Sequence, residues 1–94
     1  TKNMKDILGL PQKQINYLAS IDFINRRNNI YEYVHCEDII TQLECTTKGY
    51  KILTTKLVNR GLIERKIKND RVEYVKFTEI GCKVFFSILE ALFQ

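Results

Sequence analysis

The sequence predicts a mainly α domain with a small β-hairpin, an α+β class, and three observations carry that prediction. Apolar residues return at helical spacing in segments set apart by turn residues. Two β-branched and aromatic runs flank Asn69-Asp70, a pair that tolerates the left-handed backbone of a tight turn. The closing segment, Thr78 to Gln94, goes back to helical spacing with two apolar ridges. With 94 residues, 45% of them hydrophobic, and one Pro, the chain is the size of a single domain, 1–94, able to form a core.

Residues 1–10 hold Met4, Ile7, Leu8 and Leu10 among Lys and Asp, the pattern of an arm or a short amphipathic helix. Pro11 is tolerated in a first helical turn, where its missing N–H would be unpaired anyway. A helix from about Gln12 to Arg27 follows, with Tyr17, Leu18, Ile21 and Ile24 on one stripe and Arg26-Arg27 at the negative end of its dipole. Ile30 to Val34 reads as a short strand. Glu37 and Asp38 suit the electropositive start of a short second helix, whose Ile39, Ile40 and Leu43 turn inward.

Thr46 caps a third helix, and Gly61 ends it as a residue able to take positive φ. On that helix Tyr50, Leu53 and Leu57 share the packed side, with Gly49 beside them to admit the second helix. Lys48, Lys51 and Thr55 face outward. Strands from about Leu62 to Lys68 and Arg71 to Thr78 make the hairpin, in a register that sets Lys68 opposite Arg71, Lys66 opposite Glu73 and Leu62 opposite Phe77. In the last helix Phe85, Ile88 and Leu92 form one ridge and Cys82, Phe86, Leu89 and Phe93 another, so burial on two sides is expected.

Composition removes several function classes. No run approaches the roughly 18 apolar residues of a membrane span, and the start lacks the apolar core and cleavage site of a signal peptide, so a cytoplasmic location is expected. Cys36, Cys45 and Cys82 stand at spacings of no zinc or disulfide framework, and neither a metal nor a cofactor is expected. They fit as inert packed thiols, with Cys45 beside the basic helix the one candidate for a redox role. His35, the only histidine, lacks the orienting partner and pocket of a catalytic base; it caps or packs, and no enzyme is predicted.

Charge points to a partner. From Lys48 to Lys76 there are nine Lys and Arg against three acids, whereas the rest of the chain holds six against eight. The net charge of +4 therefore conceals a concentrated basic surface of the kind on which a polyanion docks.

Helix, strand, two helices and a hairpin make a winged helix-turn-helix, with the helix-turn-helix at 34–61, the wing at 62–78 and a terminal dimerisation helix at 78–94. The segment from Glu37 to Gly81 resembles the MarR-type transcription regulators. The residues that carry the resemblance are Gly61-Leu62-Ile63-Glu64-Arg65 entering the wing, Asp70-Arg71 at its tip, and Thr78 with Gly81 beyond it. Two departures from the family pattern are the short terminal segments and the minimal wing, which leave a small-molecule effector open but without support. Short winged helices of plasmids, viruses and partition systems are similar as well.

This architecture implies double-stranded DNA as the partner, met by the N-terminal half of the third helix in the major groove through Thr46, Thr47, Lys48, Lys51, Ile52, Thr55 and Lys56. Lysine donates to guanine, threonine bonds either way, and an exposed isoleucine meets a thymine methyl. Lys66, Lys68 and Asn69 would contact the backbone from the wing, with Arg71 at the minor groove. The two ridges, taken as Cys82, Phe85, Phe86, Ile88, Leu89, Leu92 and Phe93, fit a homodimer reading a pseudo-palindromic site. The competing reading is a protein-interaction module, or a plasmid or viral partition adaptor, that docks through the apolar last helix.

Overall fold

A computed structural model describes residues 9–29, 32–68 and 71–92. Residues 1–8 of the expected arm, the Asn69-Asp70 turn and Phe93 lie outside the described residues, while Leu10 at the end of that arm is buried in the core. Within them are α1 (Gln12–Asn28), β1 (Val34–His35), α2 (Cys36–Leu43), α3 (Thr47–Asn59), β2 (Ile63–Lys68), β3 (Val72–Phe77) and α4 (Glu79–Leu92). The strands form one antiparallel sheet in the order β1-β3-β2. It is the mainly α, winged architecture that the apolar spacing predicts.

The core is built on α1, whose Tyr17, Leu18, Ile21 and Ile24 are all but inaccessible to solvent. Ile39 of α2, Leu57 of α3, Val75 of β3 and Ile88 of α4 close on that stripe. Among the described residues of the expected first strand, pairing begins only at Val34, opposite Val75, and runs on to His35, opposite Tyr74. His35 then leaves the sheet to cap α2, its Nδ1 accepting from the Glu37 backbone N–H at 3.0 Å.

Backbone hydrogen bonding explains where α2 and α3 stop. After α2, Glu44 takes φ 53° while its N–H donates to the Thr41 carbonyl and that of Cys45 to the Ile40 carbonyl. After α3, Gly61 takes φ 75°, its N–H donating to the Val58 carbonyl at 2.9 Å and that of Leu62 to the Leu57 carbonyl at 3.1 Å. Both are Schellman closures, which satisfy orphaned carbonyls by turning one residue left-handed. Glycine fills that position only in the second.

Thr46 caps α3 as expected, its Oγ1 accepting from the Gly49 N–H at 3.0 Å. Gly49 has a different neighbour from the one anticipated. A Cβ there would meet Thr46 Oγ1 at 3.3 Å and Cys45 Cβ at 3.9 Å, so the glycine clears its own cap rather than admitting α2.

Thr78 joins the wing base to α4. Its Oγ1 donates to the Gly61 carbonyl at 2.6 Å and accepts from the Gly81 N–H at 2.9 Å, while its own N–H donates to the Leu62 carbonyl at 3.1 Å. Gly81 lies so close to this joint that a Cβ would fall 1.8 Å from the Leu62 carbonyl oxygen. Gly61, Thr78 and Gly81 thus form one unit tying the end of α3, both strands of the wing and the start of α4.

The register of the wing differs by one residue from the expected pairing. Lys68 stands opposite Val72, Lys66 opposite Tyr74, Arg65 opposite Val75 and Ile63 opposite Phe77. Positions 69–71 therefore form a three-residue connection instead of a two-residue turn. Because strand side chains alternate, the slip changes which β2 residues share a face with which β3 residues.

Candidate nucleic-acid interface

The outward face of α3 carries every residue that the sequence assigns to it. Thr46, Thr47, Lys48, Lys51, Ile52, Thr55 and Lys56 are all exposed. Tyr50 and Leu57 hold the opposite face in the core, joined by Thr54, which the apolar pattern did not single out. Thr46 commits its acceptor to the helix cap, so the ridge begins in effect at Thr47.

That ridge has two flanks. On one side Thr47, Lys51 and Thr55 line a groove of about 340 Å³, facing Arg65, Ile67 and Arg71 of the wing. On the other, Ile52 and Lys56 border a cleft of about 450 Å³ against Lys13 and Asn16 of α1. Ile67 is 66% exposed and Ile52 47%, so an aliphatic side chain stands beside the basic and hydroxyl groups on each flank.

A buried polar chain sets the spacing between α3 and the wing. Tyr17 and Thr54 hydroxyls lie 2.8 Å apart, Thr54 Oγ1 donates to the Tyr50 carbonyl at 2.7 Å, and the Tyr17 and Tyr50 rings stack at 5.9 Å. The Tyr50 hydroxyl then donates to Glu73 Oε2 at 2.5 Å, and the same carboxylate pairs with Arg65 at 3.7 Å. A charge-assisted bond of this kind is stronger than a neutral one. Burial pushes the Tyr17 phenol up to about 12 and raises Tyr50 as well, the latter helped by its bond to Glu73. Both remain neutral donors over the physiological range.

Lys66 and Lys68 are not brought to the groove. The observed register places them on the other face of the sheet with Tyr74 and Lys76, while Arg65 and Ile67 take the face toward α3. Of the expected wing residues, Arg71 lines the groove, with Arg65 and Glu73 beside it, whereas any backbone contact by Lys66 and Lys68 would have to be made from outside the groove. Asn69 lies outside the described residues. A three-residue connection, allowed for at the hairpin, would have exposed Arg65 in the sequence.

The last helix needs a second correction. Phe85 and Ile88 are 4% and 1% exposed, with Phe85 stacked on Phe77 at 5.6 Å, so both belong to the domain's own core and cannot serve as docking residues. Cys82 and Leu89 are half-buried. Phe86 and Leu92 are 53% and 56% exposed, and Ile80, absent from the expected set, is 60% exposed.

The three cysteines are half-buried rather than fully packed. Burial raises the Cys36 and Cys82 thiols, which keeps them from the reactive thiolate form. Cys45 borders the cleft against α1. Among the described residues no helix is long and apolar enough to cross a membrane, and no three His, Cys, Asp or Glu side chains gather as a metal-binding group.

Comparison with known proteins places this geometry. No family model and no curated protein sequence matches the chain. Solved structures do. A mutant MepR from a multidrug-resistant S. aureus clinical isolate superposes with TM-score 0.78 at 17% identity over 93% of this chain and 60% of that one. An S. aureus MepR–DNA complex gives 0.78 at 17% identity over 94% and 61%. A mutant MarR from E. coli complexed with operator DNA gives 0.76 at 17% identity over 90% and 57%. The chain therefore has the winged helix-turn-helix fold of the MarR-type regulators. It spans about three fifths of the length of the structures it matches.

Proposed function

We propose that the protein is a sequence-specific double-stranded DNA-binding protein that acts as a homodimeric transcriptional regulator. The observation that carries this reading is the continuity of one exposed surface: Thr47, Lys51 and Thr55 on α3 face Arg65, Ile67 and Arg71 on the wing across an open groove. Two of the similar structures are described as complexes with DNA, which supports the same partner here. In this account α3 lies in the major groove, where Lys51 and Thr55 address base edges. Arg71, at the end of the wing, enters the minor groove and is attracted by the narrow, strongly negative A·T segments there. The Tyr50–Glu73–Arg65 chain fixes the distance between the two reading elements, so a base preference in one groove is coupled to a shape preference in the other.

Phe86, Leu89 and Leu92 supply the dimer contact. A two-fold pair of domains presents two α3 helices about one DNA turn apart, which calls for a pseudo-palindromic site. The same exposed residues also support the second reading, a scaffold that docks a protein partner through α4.

Competition titrations over a salt series separate the readings. Lys51→Ala and Thr55→Ala should each cost about 1–3 kcal/mol of discrimination while the fold is retained. Binding through phosphates also weakens steeply with salt, whereas apolar docking barely responds. Wild-type binding by both variants would remove α3 from the groove.

A further inference from the structure

His35 belongs to two elements at once. Its backbone ends β1 opposite Tyr74 of the wing, while its side chain starts α2, with Nδ1 accepting from the Glu37 backbone N–H at 3.0 Å. The residue is half-buried, its ring lies edge-on to Tyr74 at 5.2 Å between centroids, and the Cys36 thiol is 3.9 Å from the same nitrogen. Serine, threonine, asparagine and aspartate are the usual caps, and none of them changes charge between about pH 5 and 8. An imidazole does, and His35 is the only histidine of the 94 residues. A bond accepted at Nδ1 exists only while that nitrogen carries no proton. The turn held by this bond is also a wall of the groove between α3 and the wing: Cys36, Glu37 and Ile40 line it together with Lys51 and Arg71.

We propose that His35 is a proton-operated switch on this surface: uptake of one proton at Nδ1 uncaps α2, loosens the turn that walls the groove and weakens binding to the specific duplex. This regulation rests on the DNA-binding reading above. Protonation acts on the cap twice. It leaves the Glu37 N–H without its acceptor, and it sets a positive charge at the electropositive end of the helix. The surrounding charges divide. Glu37 and Asp38, in the first turn of α2, favour the imidazolium. Lys66, opposite Tyr74 on the same sheet face, and Lys68, whose Nζ lies 5.1 Å from the Tyr74 ring centroid, oppose it. Glu73 of β3 is committed to Tyr50 and Arg65 on the other face, and the Cys36 thiol is raised by burial. Because the bond is made to the neutral ring, the cap is complete above the imidazole range and is lost as pH falls through it. Glu37 is then the residue set free, and a carboxylate turning into the groove repels the phosphates that should enter it.

The test compares the wild type with His35→Asn, whose side-chain acceptor does not titrate, and with His35→Leu, which fills the site without an acceptor. Thermal melting checks each fold, and His35→Ser replaces the asparagine variant if that one does not fold. Affinity is measured at constant ionic strength from about pH 7.5 to about pH 5.5, across the imidazole range. The probes are a duplex that the wild type enriches from a randomised pool and an unrelated duplex. Wild-type affinity for the enriched duplex should fall by about 3- to 10-fold, the factor that one N-cap bond supplies, while His35→Asn holds its affinity and His35→Leu is weak at every pH. The unrelated duplex should be bound no more weakly at low pH, since the added proton raises the positive charge of the protein. In the free wild type, nuclear magnetic resonance should show the Glu37 amide losing its protection from hydrogen exchange in step with titration of the imidazole. Parallel pH profiles for the wild type and His35→Asn overturn the proposal, as does a Glu37 amide that ignores the imidazole, or an equal loss on both duplexes. If the wild type enriches no duplex, the DNA-binding reading itself fails and this regulation falls with it, whereas the Glu37 amide still reports the cap.

Discussion

Gly81→Ala sets two effects of opposite sign against each other. Gly81 lies in the first turn of α4, and helix propensity alone would make alanine there more stable by up to ~1 kcal/mol. Packing says the reverse. The new Cβ would lie 1.8 Å from the Leu62 carbonyl oxygen, 2.8 Å from its carbon and 3.2 Å from its Cα. Since ordinary contact starts at 3.4 Å, α4 and the wing base must separate by roughly 1.6 Å, and the obstacle is backbone that cannot rotate away. Overpacking of this kind costs about 1–3 kcal/mol. The separation also stretches the joint at Thr78, where three hydrogen bonds of 2.6, 2.9 and 3.1 Å meet, each worth ~1 kcal/mol. Allowing for partial relaxation and the propensity gain, the net loss should be about 2–4 kcal/mol. Urea denaturation followed by circular dichroism measures it directly if the transition is two-state. Stability equal to or above that of the wild type would refute the joint.

Three further outcomes follow from the same structure. Glu44→Gly should stabilise the protein by about 0.5–1 kcal/mol, because a side chain at φ 53° costs ~1–2 kcal/mol and glycine returns part of that as chain entropy; thermal melting against a Glu44→Ala control checks it. Tyr50→Phe should cost ~1.5–3 kcal/mol by leaving the Glu73 carboxylate without its phenolic donor, and denaturation of Glu73→Gln with and without it should show that the two losses are not additive. Tyr17, with its phenol raised by burial from 10.0 to about 12, keeps a proton that the unfolded chain gives up; its contribution is complete below pH 10 and is lost as pH rises from 10 to 12, at ~1.4 kcal/mol per pH unit. Tyr50 is raised in the same direction, so melting temperature should hold to about pH 10 and then fall faster than for Tyr17→Phe, and a flat profile in that range would contradict the burial account.

Much of the fold was legible because its signals are local. The stripe from Tyr17 to Ile24, the cap at Thr46 and the positive φ of Gly61 each follow from one residue type at one spacing. The closure at Glu44 was not legible, since only the tertiary packing of α2 on α3 forces a left-handed turn on a residue that gains nothing from it locally. Register was harder still. Turn residues at 69–70 fit a two-residue turn, but Ile63 and Val75 are both buried and must share the core face, which the observed register achieves by setting Ile63 opposite Phe77 and which needs a three-residue connection. The candidate site inherited both results: the outward position of the α3 residues depended on helical periodicity and their exposure agrees with it, whereas the face taken by the wing residues depended on register and changed. Thr54 escaped notice because its burial is compensated by Tyr17 and the Tyr50 carbonyl, partners that no spacing reveals.

The central claim, that α3 and the wing read double-stranded DNA as one surface, is tested most directly by selection. The wild-type protein and the combined variant Lys51→Ala, Thr55→Ala would each be offered a pool of fully randomised duplexes, and the bound sequences compared over successive rounds. The account predicts that the wild type enriches a motif of two inverted halves about one helical turn apart with A·T-rich flanks, and that the variant keeps the flank preference while losing the halves. Enrichment of no motif by the wild type, or of the same motif by both proteins, would contradict it.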